Sequence, residues 1–367
     1  MLKPIQLIGC LIGMLSLSQI SYGQGALDLT KEEQAFQDSI AALNAESANT
    51  AASQEAYNVG IQYFEQKNYN EAIKSFDKAI ELNPQFTAAY YNKGIVLIEQ
   101  KQYKDAVGNF SMVLEFDEEH VNAYSKRAEA SIKMGDYKGA IIDYKQVVTL
   151  NTSDEKSHYN LGTAYFLNKD YKNAKAAFSK AIELKSDYAE AYNDRGSCNR
   201  QLEKYTEAIA DYQKSLTYKN VAFVHNNIGS VKRKMKDYDG AVAAYTKAVT
   251  TDPSFYLAYN NRGKILFEQG NMKEALWNFN QAIKANPNYA IAYNNRGSIK
   301  FKEEKYKEAL NEFNMAIKND PNYASAYLNR GIAKEMLRDQ QGACVDWKKS
   351  KELGIGQANR YLNSDCN

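Results

Sequence analysis

The sequence predicts an all-α fold, an α-solenoid of nine helical hairpins, and three observations carry that prediction. The stretch AYNNRG at 258–263 returns intact at 292–297 and in looser copies at 191–196 and 326–331, about every 34 residues. With units numbered from Ser53, position 8 is Gly in eight of nine (Gly60, Gly94, Gly162, Gly196, Gly229, Gly263, Gly297, Gly331) and Ala128 in the third. Position 20 is Ala throughout, from Ala72 to Ala343, and position 24 is aromatic throughout, from Phe76 to Trp347. Small residues at 8 and 20 let two antiparallel helices approach closely, and an aromatic at 24 fills the groove to the next pair. Each unit leaves apolar faces that only a neighbour can cover, so stability is shared along a stack.

Taken in order, residues 1–23 read as a secretory signal. Lys3 supplies the positive end, Leu7 to Leu17 the apolar stretch, and Ser21-Tyr22-Gly23 the small side chains before a cut near Gly23. A lipobox-like Leu7-Ile8-Gly9-Cys10 is the rival reading, and too little apolar chain precedes Cys10 to favour it. The segment is too short and interrupted for a bilayer-spanning helix. Residues 24–52 read as one short helix and a linker: Thr30 and Glu33 make a capping box, Phe36, Ile40 and Leu43 share a face, and Ser47 to Ser53 is small and polar. The helix is expected to cap the first repeat, with a free arm as the alternative.

The nine units span 53–357, the fifth shortened to 33 residues by a deletion before Ala222. Turns such as Gln66-Lys67-Asn68-Tyr69 join the helices of one unit, and Asn83-Pro84, Asp252-Pro253, Asn286-Pro287 and Asp320-Pro321 read as N-caps with Pro at the first helical position of the next. Residues 358–367 close the array as a capping helix and tail, with Ala358, Tyr361 and Leu362 apolar.

Charge is nearly balanced, 46 Lys and Arg against 44 Asp and Glu, which leaves no electrostatic footprint for nucleic acid or for a broad anionic membrane contact. Export would place the cysteines in an oxidising compartment. Cys344 and Cys366 are expected to pair, and Cys198 to stay a buried thiol. The three histidines form no metal-ligand spacing, and His158 and His225 take the packing position 4. No nucleophile with a recognisable base stands out, so no catalytic residue, metal or cofactor is expected.

The spacing of 34, with an aromatic at 4, Gly at 8, Ala at 20 and an aromatic at 24, resembles the tetratricopeptide repeat over about five-sixths of the chain. The resemblance implies a right-handed superhelix whose first helices line a concave groove where partner peptides dock. Some members hold chaperone tails through a carboxylate clamp that needs Lys at position 5, and no unit here has Lys there.

Position 6 reads Asn58, Asn92, Asn160, Asn227, Asn261, Asn295 and Asn329 in seven units, with Lys126 and Asp194 in the others. A carboxamide offers one acceptor and a donor, the pair that grips a peptide unit on both its N–H and its C=O. The column looks like the asparagine ladder in the repeats of O-linked N-acetylglucosamine transferase. The alternative is that these amides bond only to backbone or to a neighbouring Asn. Position 7 is Arg127, Arg195, Arg262, Arg296 or Arg330 where position 23 is Asp, Glu or Asn, and apolar where position 23 is Ser or Ala, which predicts a contact within the hairpin. If exposed, such a pair contributes about 0.5 kcal/mol.

The sequence thus predicts an exported, non-enzymatic scaffold of a bacterial periplasm or cell envelope, or a secreted one, that holds an extended segment of a protein partner. Alternatives are an envelope assembly scaffold, or a regulatory module of a separate enzyme, working through the convex face or the ends.

Overall fold

A computed structural model describes residues 31–366. The expected signal segment, residues 1–23, and Thr30 of the expected capping box lie outside them. The described residues are helical throughout and carry no strand. They fall into two compact units, one up to Lys93 and one from Gly94.

The first unit holds α1 (Lys31–Glu65), α2 (Tyr69–Leu82) and the start of α3 (Thr87–Glu99). The second continues with α4 (Tyr103–Phe116), then the pairs α5 (Val121–Met134) and α6 (Tyr137–Leu150), α7 (Glu155–Leu167) and α8 (Tyr171–Leu184), and α9 (Ala189–Gln201) and α10 (Tyr205–Tyr218). It ends with α11 (Ala222–Lys234) and α12 (Tyr238–Thr251), α13 (Tyr256–Glu268) and α14 (Met272–Ala285), α15 (Ala290–Lys302) and α16 (Tyr306–Asn319), α17 (Ala324–Met336) and α18 (Gln340–Glu352), and a terminal α19 (Ala358–Asp365). The architecture is an α-solenoid of helical hairpins, with odd-numbered first helices and even-numbered second helices.

Packing follows the small and aromatic columns. All nine position-20 alanines are fully buried. A Cβ added at Gly60, Gly162, Gly229 or Gly297 would meet the position-24 ring at 2.6–2.7 Å, which no real contact tolerates. The third unit has Ala128 there, and its ring, Tyr144, stays 5 % exposed where Phe76, Phe110 and Tyr212 are sealed.

Two corrections concern helix ends. The stretch 47–53, expected as a linker, is helical and continuous with α1. The run from Ala45 to Ala56 holds no Gly or Pro to stop a helix. The expected cap on the first repeat is not formed, since Phe36 and Leu43 are 58 % and 64 % exposed: α1 continues the first hairpin as an arm. The Asn-Pro and Asp-Pro pairs end one helix rather than cap the next. Asn83 accepts from the Gln85 amide at 3.1 Å, and Asp252, Asn286 and Asp320 do likewise with Ser254, Asn288 and Asn322. These are Asx-turns, in which the side chain replaces a backbone acceptor. The next helix opens behind an aromatic N-cap residue, as Phe255 does for α13 and Tyr289 for α15.

Within each hairpin, position 15 adopts a left-handed backbone. Only Gly135 and Gly270 are glycines; Lys67, Lys101, Lys169, Glu203, Lys236, Glu304 and Arg338 hold φ of 58–64°. A non-glycine residue there costs roughly 1–2 kcal/mol, partly offset by the lower entropy of its unfolded chain. Replacing Lys101, Lys169 and Glu304 together by Gly is expected to stabilise by about 1–2 kcal/mol, read as a higher melting temperature. An unchanged or lower value would show that these turns carry no strain.

Cys344 and Cys366 form a disulfide with Cα atoms 5.6 Å apart and a sequence separation of 22. It ties α19 to α18, where Trp347 is fully buried and stacks on Tyr361 at 4.9 Å. Closing such a loop stabilises by about 3 kcal/mol on the chain-entropy view. Cys198 is a free, fully buried thiol whose pKa burial pushes up to about 12.

Candidate binding face

From α7 to α17, successive first helices touch one another, while successive second helices approach less closely. The first helices therefore line the inner side of this stack, and positions 2, 5, 6, 9 and 12 fall on or beside that side.

The position-6 amides are held by their neighbours. Asn227 Nδ2 donates to Asn193 Oδ1 at 3.2 Å, and Asn261, Asn295 and Asn329 donate to Asn226, Asn260 and Asn294 at 3.0, 2.8 and 2.9 Å. Each rung runs from position 6 of one unit to position 5 of the unit before. In the first compact unit Asn92 donates to the Tyr57 hydroxyl at 2.7 Å and to the Ala88 carbonyl, and Asn58, exposed, accepts from Gln54. Asn160 is half-buried and its side chain makes no hydrogen bond within the described residues. The acceptor at position 5 was readable in the sequence as Asn193, Asn226, Asn260 and Asn294, one column away from the residues singled out.

Asp194 breaks the row. Its carboxylate accepts from the Tyr159 hydroxyl at 2.6 Å and from Asn193 at 2.8 Å. Burial raises its pKa, and these two bonds only partly oppose that.

Beside Asn329 lies a depression of about 350 Å³ lined by Phe267, Ser298, Phe301, Lys302, Phe313 and Ile332. Lys302 Nζ sits 5.4 Å from the Phe267 ring centre. The wall is aromatic with a cationic rim, a shape that fits an apolar side chain on a polar backbone.

The position-7 arginines belong to the scaffold. Arg127 reaches Asp143 at 2.9 and 2.7 Å, Arg330 reaches Asp346 at 2.8 and 2.6 Å, and Arg195 meets Asp211 in the same way, while Arg262 and Arg296 make one bond each, to Asn278 and Glu312, both at 2.8 Å. Asp143, Asp211 and Asp346 are 3 %, 7 % and 1 % exposed, so the surface value expected from the sequence is too small. Each guanidinium also reaches back to position 25 of the preceding hairpin, at Ser111, Ser179, Thr246, Asn280 or Asn314. It lies over the position-4 ring as well, 5.3 Å away for Arg195 on Tyr192. The missed signal was that position 25 is a small acceptor before every Arg, and Lys145 or Gln213 before Leu161 and Ile228.

The histidines at position 4 are not core residues. His158 contacts the Thr152 carbonyl at 3.2 Å and His225 the Asn220 side chain at 2.8 Å, each tying a first helix to the loop before it. No described helix is long and apolar enough to cross a membrane.

This geometry agrees with comparisons to known proteins. A family model described as TPR repeat matches residues 60–101, 130–169, 229–270, 263–303 and 297–337. Two described as tetratricopeptide repeat match 155–188 and 189–221. Together they cover well over half the chain, which belongs to the tetratricopeptide repeat family. The coarse role that goes with the family is that of a protein-interaction scaffold, and none of the matching models is that of a catalytic family. No curated protein matches the sequence.

Among solved structures, a chain of the APC/C hetero-tetramer Cut9-Hcn1 is 13 % identical over 86 % of this chain and 76 % of its own, with a TM-score of 0.52. PilF of Pseudomonas aeruginosa is 20 % identical over 57 % of this chain and 96 % of its own, at 0.51. Both show the fold alone. YrrB, described as a TPR protein with an unusual peptide-binding site, is 25 % identical over 50 % of this chain and 95 % of its own, at 0.40.

Proposed function

We propose that the inner face of the first helices binds an extended segment of a protein partner, with the position-6 asparagines holding its main chain. The observation that carries this reading is the row at Asn227, Asn261, Asn295 and Asn329. Each amide spends one N–H on the hairpin before it. That bond fixes the carboxamide and leaves its other N–H and its Oδ1 for a ligand, one donor and one acceptor per unit. The depression beside Asn329 would take an apolar side chain of the same segment. Asn160 is proposed to extend the contact, and Asn58 and Asn92, in the first compact unit, to offer polar groups of their own to a partner.

An exported chain in a bacterial envelope, or a secreted one, is the setting we propose. The reading of residues 1–23 and the Cys344–Cys366 disulfide support it, since such bonds persist in oxidising compartments.

One observation favours a second reading, in which the outer face docks. Position 22 on the second helices exposes Ile142, Trp277 and Val345 at 62 %, 51 % and 64 %.

A random peptide array probed with the full chain separates the two. Replacing Asn261, Asn295 and Asn329 by Ala is expected to weaken peptide binding at least about tenfold, one to two charge-free hydrogen bonds' worth, while the helical spectrum stays. Binding unchanged in that variant and lost in Trp277→Ala would assign the outer face.

A further inference from the structure

Position 12 on the first helices runs Phe166, Arg200, Arg233, Phe267, Phe301 through five successive hairpins. Two arginines thus sit side by side between half-buried aromatics on the inner face. They differ from the five position-7 arginines in one respect: neither guanidinium has a hydrogen-bonding or ion-pair partner among the described residues. Both are half-buried.

The floor beneath them changes with them. Position 24, fully buried below the groove, is Phe178, Phe279 and Phe313 where position 12 is Phe, and Tyr212 and Tyr245 where it is Arg. The Tyr212 hydroxyl meets Ser197 at 3.1 Å and the Tyr245 hydroxyl meets Ser230 at 3.3 Å, both serines at position 9. The field of Arg200 reaches the Tyr212 phenol and that of Arg233 reaches Tyr245. Two consecutive hairpins therefore present a polar, cationic window, while their neighbours present phenyl rings.

Nearby charge does not cancel the window. Lys234 and Lys264 add to it. Asp194, the nearest acid on α9, already accepts from Tyr159 and Asn193, and Asp237 pairs with Lys232 at 3.0 Å. Glu203, exposed in the turn after α9, and Glu268 on α13 remain, against four cations. Packed helices lie about 8–10 Å apart, so guanidinium groups on successive first helices can each take a carboxylate two to three residues apart on an extended chain.

We propose that Arg200 and Arg233 select the bound segment: a stretch of partner protein with acidic side chains in its middle and apolar side chains on either side, seated on Phe166 at one end and on Phe267 and Phe301 at the other. This rests on the inner-face reading above. The amides would hold the main chain of the segment, and the arginines and phenyl rings would choose its sequence.

Selection of peptides from a displayed random library on the full chain tests it. Recovered peptides are expected to carry Asp or Glu between apolar residues. Arg200→Ala and Arg233→Ala should each weaken them about tenfold, with binding falling as salt rises and with melting temperature unchanged. The reversed variant Arg200→Glu/Arg233→Glu should enrich Lys and Arg instead, which a merely structural role would not do. Peptides without acidic enrichment, or bound equally by the alanine variants, overturn the proposal. If such peptides still lose binding in the Asn261, Asn295 and Asn329 variant, the inner-face reading stands and only the arginine assignment falls. Peptides indifferent to both sets of changes, or none recovered, overturn both. Preference for phosphorylated over acidic peptides would overturn the carboxylate assignment in favour of another anion.

Discussion

Replacing Arg195 by Leu is expected to cost about 3–5 kcal/mol, the range for breaking a buried ion pair from one side. Asp211, 7 % exposed, accepts from Arg195 Nε at 3.0 Å and from the buried Asn199 amide at 2.8 Å. Without the guanidinium, a nearly water-free carboxylate keeps one neutral donor. The loss also reaches the hairpin before, because Arg195 Nη1 meets Ser179. The chain supplies its own control. In the fourth and sixth units, positions 7 and 23 are Leu161 with Ala177 and Ile228 with Ala244, all buried. The double variant Arg195→Leu/Asp211→Ala copies that solution, and most of the lost stability should return, as when apolar groups replace both members of a buried pair. Thermal melting with amide exchange over α9 and α10 reads both changes. A single variant as stable as the parent would show that the pair is a surface contact in solution.

Phe279→Ala is the second large effect, about 3–5 kcal/mol. The ring is 1 % exposed and lies across Gly263, where an added Cβ would fall 2.8 Å from its Cε1. A hole left there cannot be filled by α13, because the backbone on that side is already as close as glycine permits. Gly263→Ala tests the same contact from the other side. Helix propensity alone would gain about 1 kcal/mol, but overpacking costs about 1–3 kcal/mol, so a net loss of up to about 2 is expected. Combined with Phe279→Leu the glycine change should become nearly neutral. Additive losses in that pair would mean that the two residues do not share one space. Because each hairpin is stabilised by its neighbours, exchange should rise in α11 to α16 and much less in α5 and α6.

These effects mark how much could be read from the sequence. Gly at 8, Ala at 20 and the ring at 24 recur because one interlock is repeated, so nine copies reveal it without any alignment. The pairing of positions 7 and 23 was legible for the same reason: Arg127 with Asp143 and Leu161 with Ala177 are two solutions to one contact. What could not be read was depth. The sequence gives the partners of Arg127 but not that Asp143 is 3 % exposed, and burial turns a contact of about 0.5 kcal/mol into one several times larger. The Asx-Pro pairs misled because Asp and Asn cap helices and close turns with the same side-chain oxygen, and only the position of Phe255 or Tyr289 tells which. The stretch 47–53 misled because small polar residues look like a loop when their neighbours are not considered.

For the candidate site, the asparagine column was visible and its inter-hairpin bond was not. A residue's identity states what it can donate, whereas its partner at position 5 depends on how far each hairpin rotates on the next. Arg200 and Arg233 were hidden for a different reason. In a linear reading neither stands out, Arg200 lying between Asn199 and Gln201 and Arg233 between Lys232 and Lys234, and only stacking brings position 12 of one unit beside position 12 of the next.

The most direct measurement of the central claim places a photo-reactive phenylalanine at Ser298, on the inner face, or at Asn311, exposed on the second helix α16, in the full chain within its native extract. A groove that holds an extended partner segment should give one protein adduct from Ser298, diminished by the Asn261, Asn295 and Asn329 changes, and none from Asn311. An adduct from Asn311 with none from Ser298 would contradict the account and assign binding to the outer face.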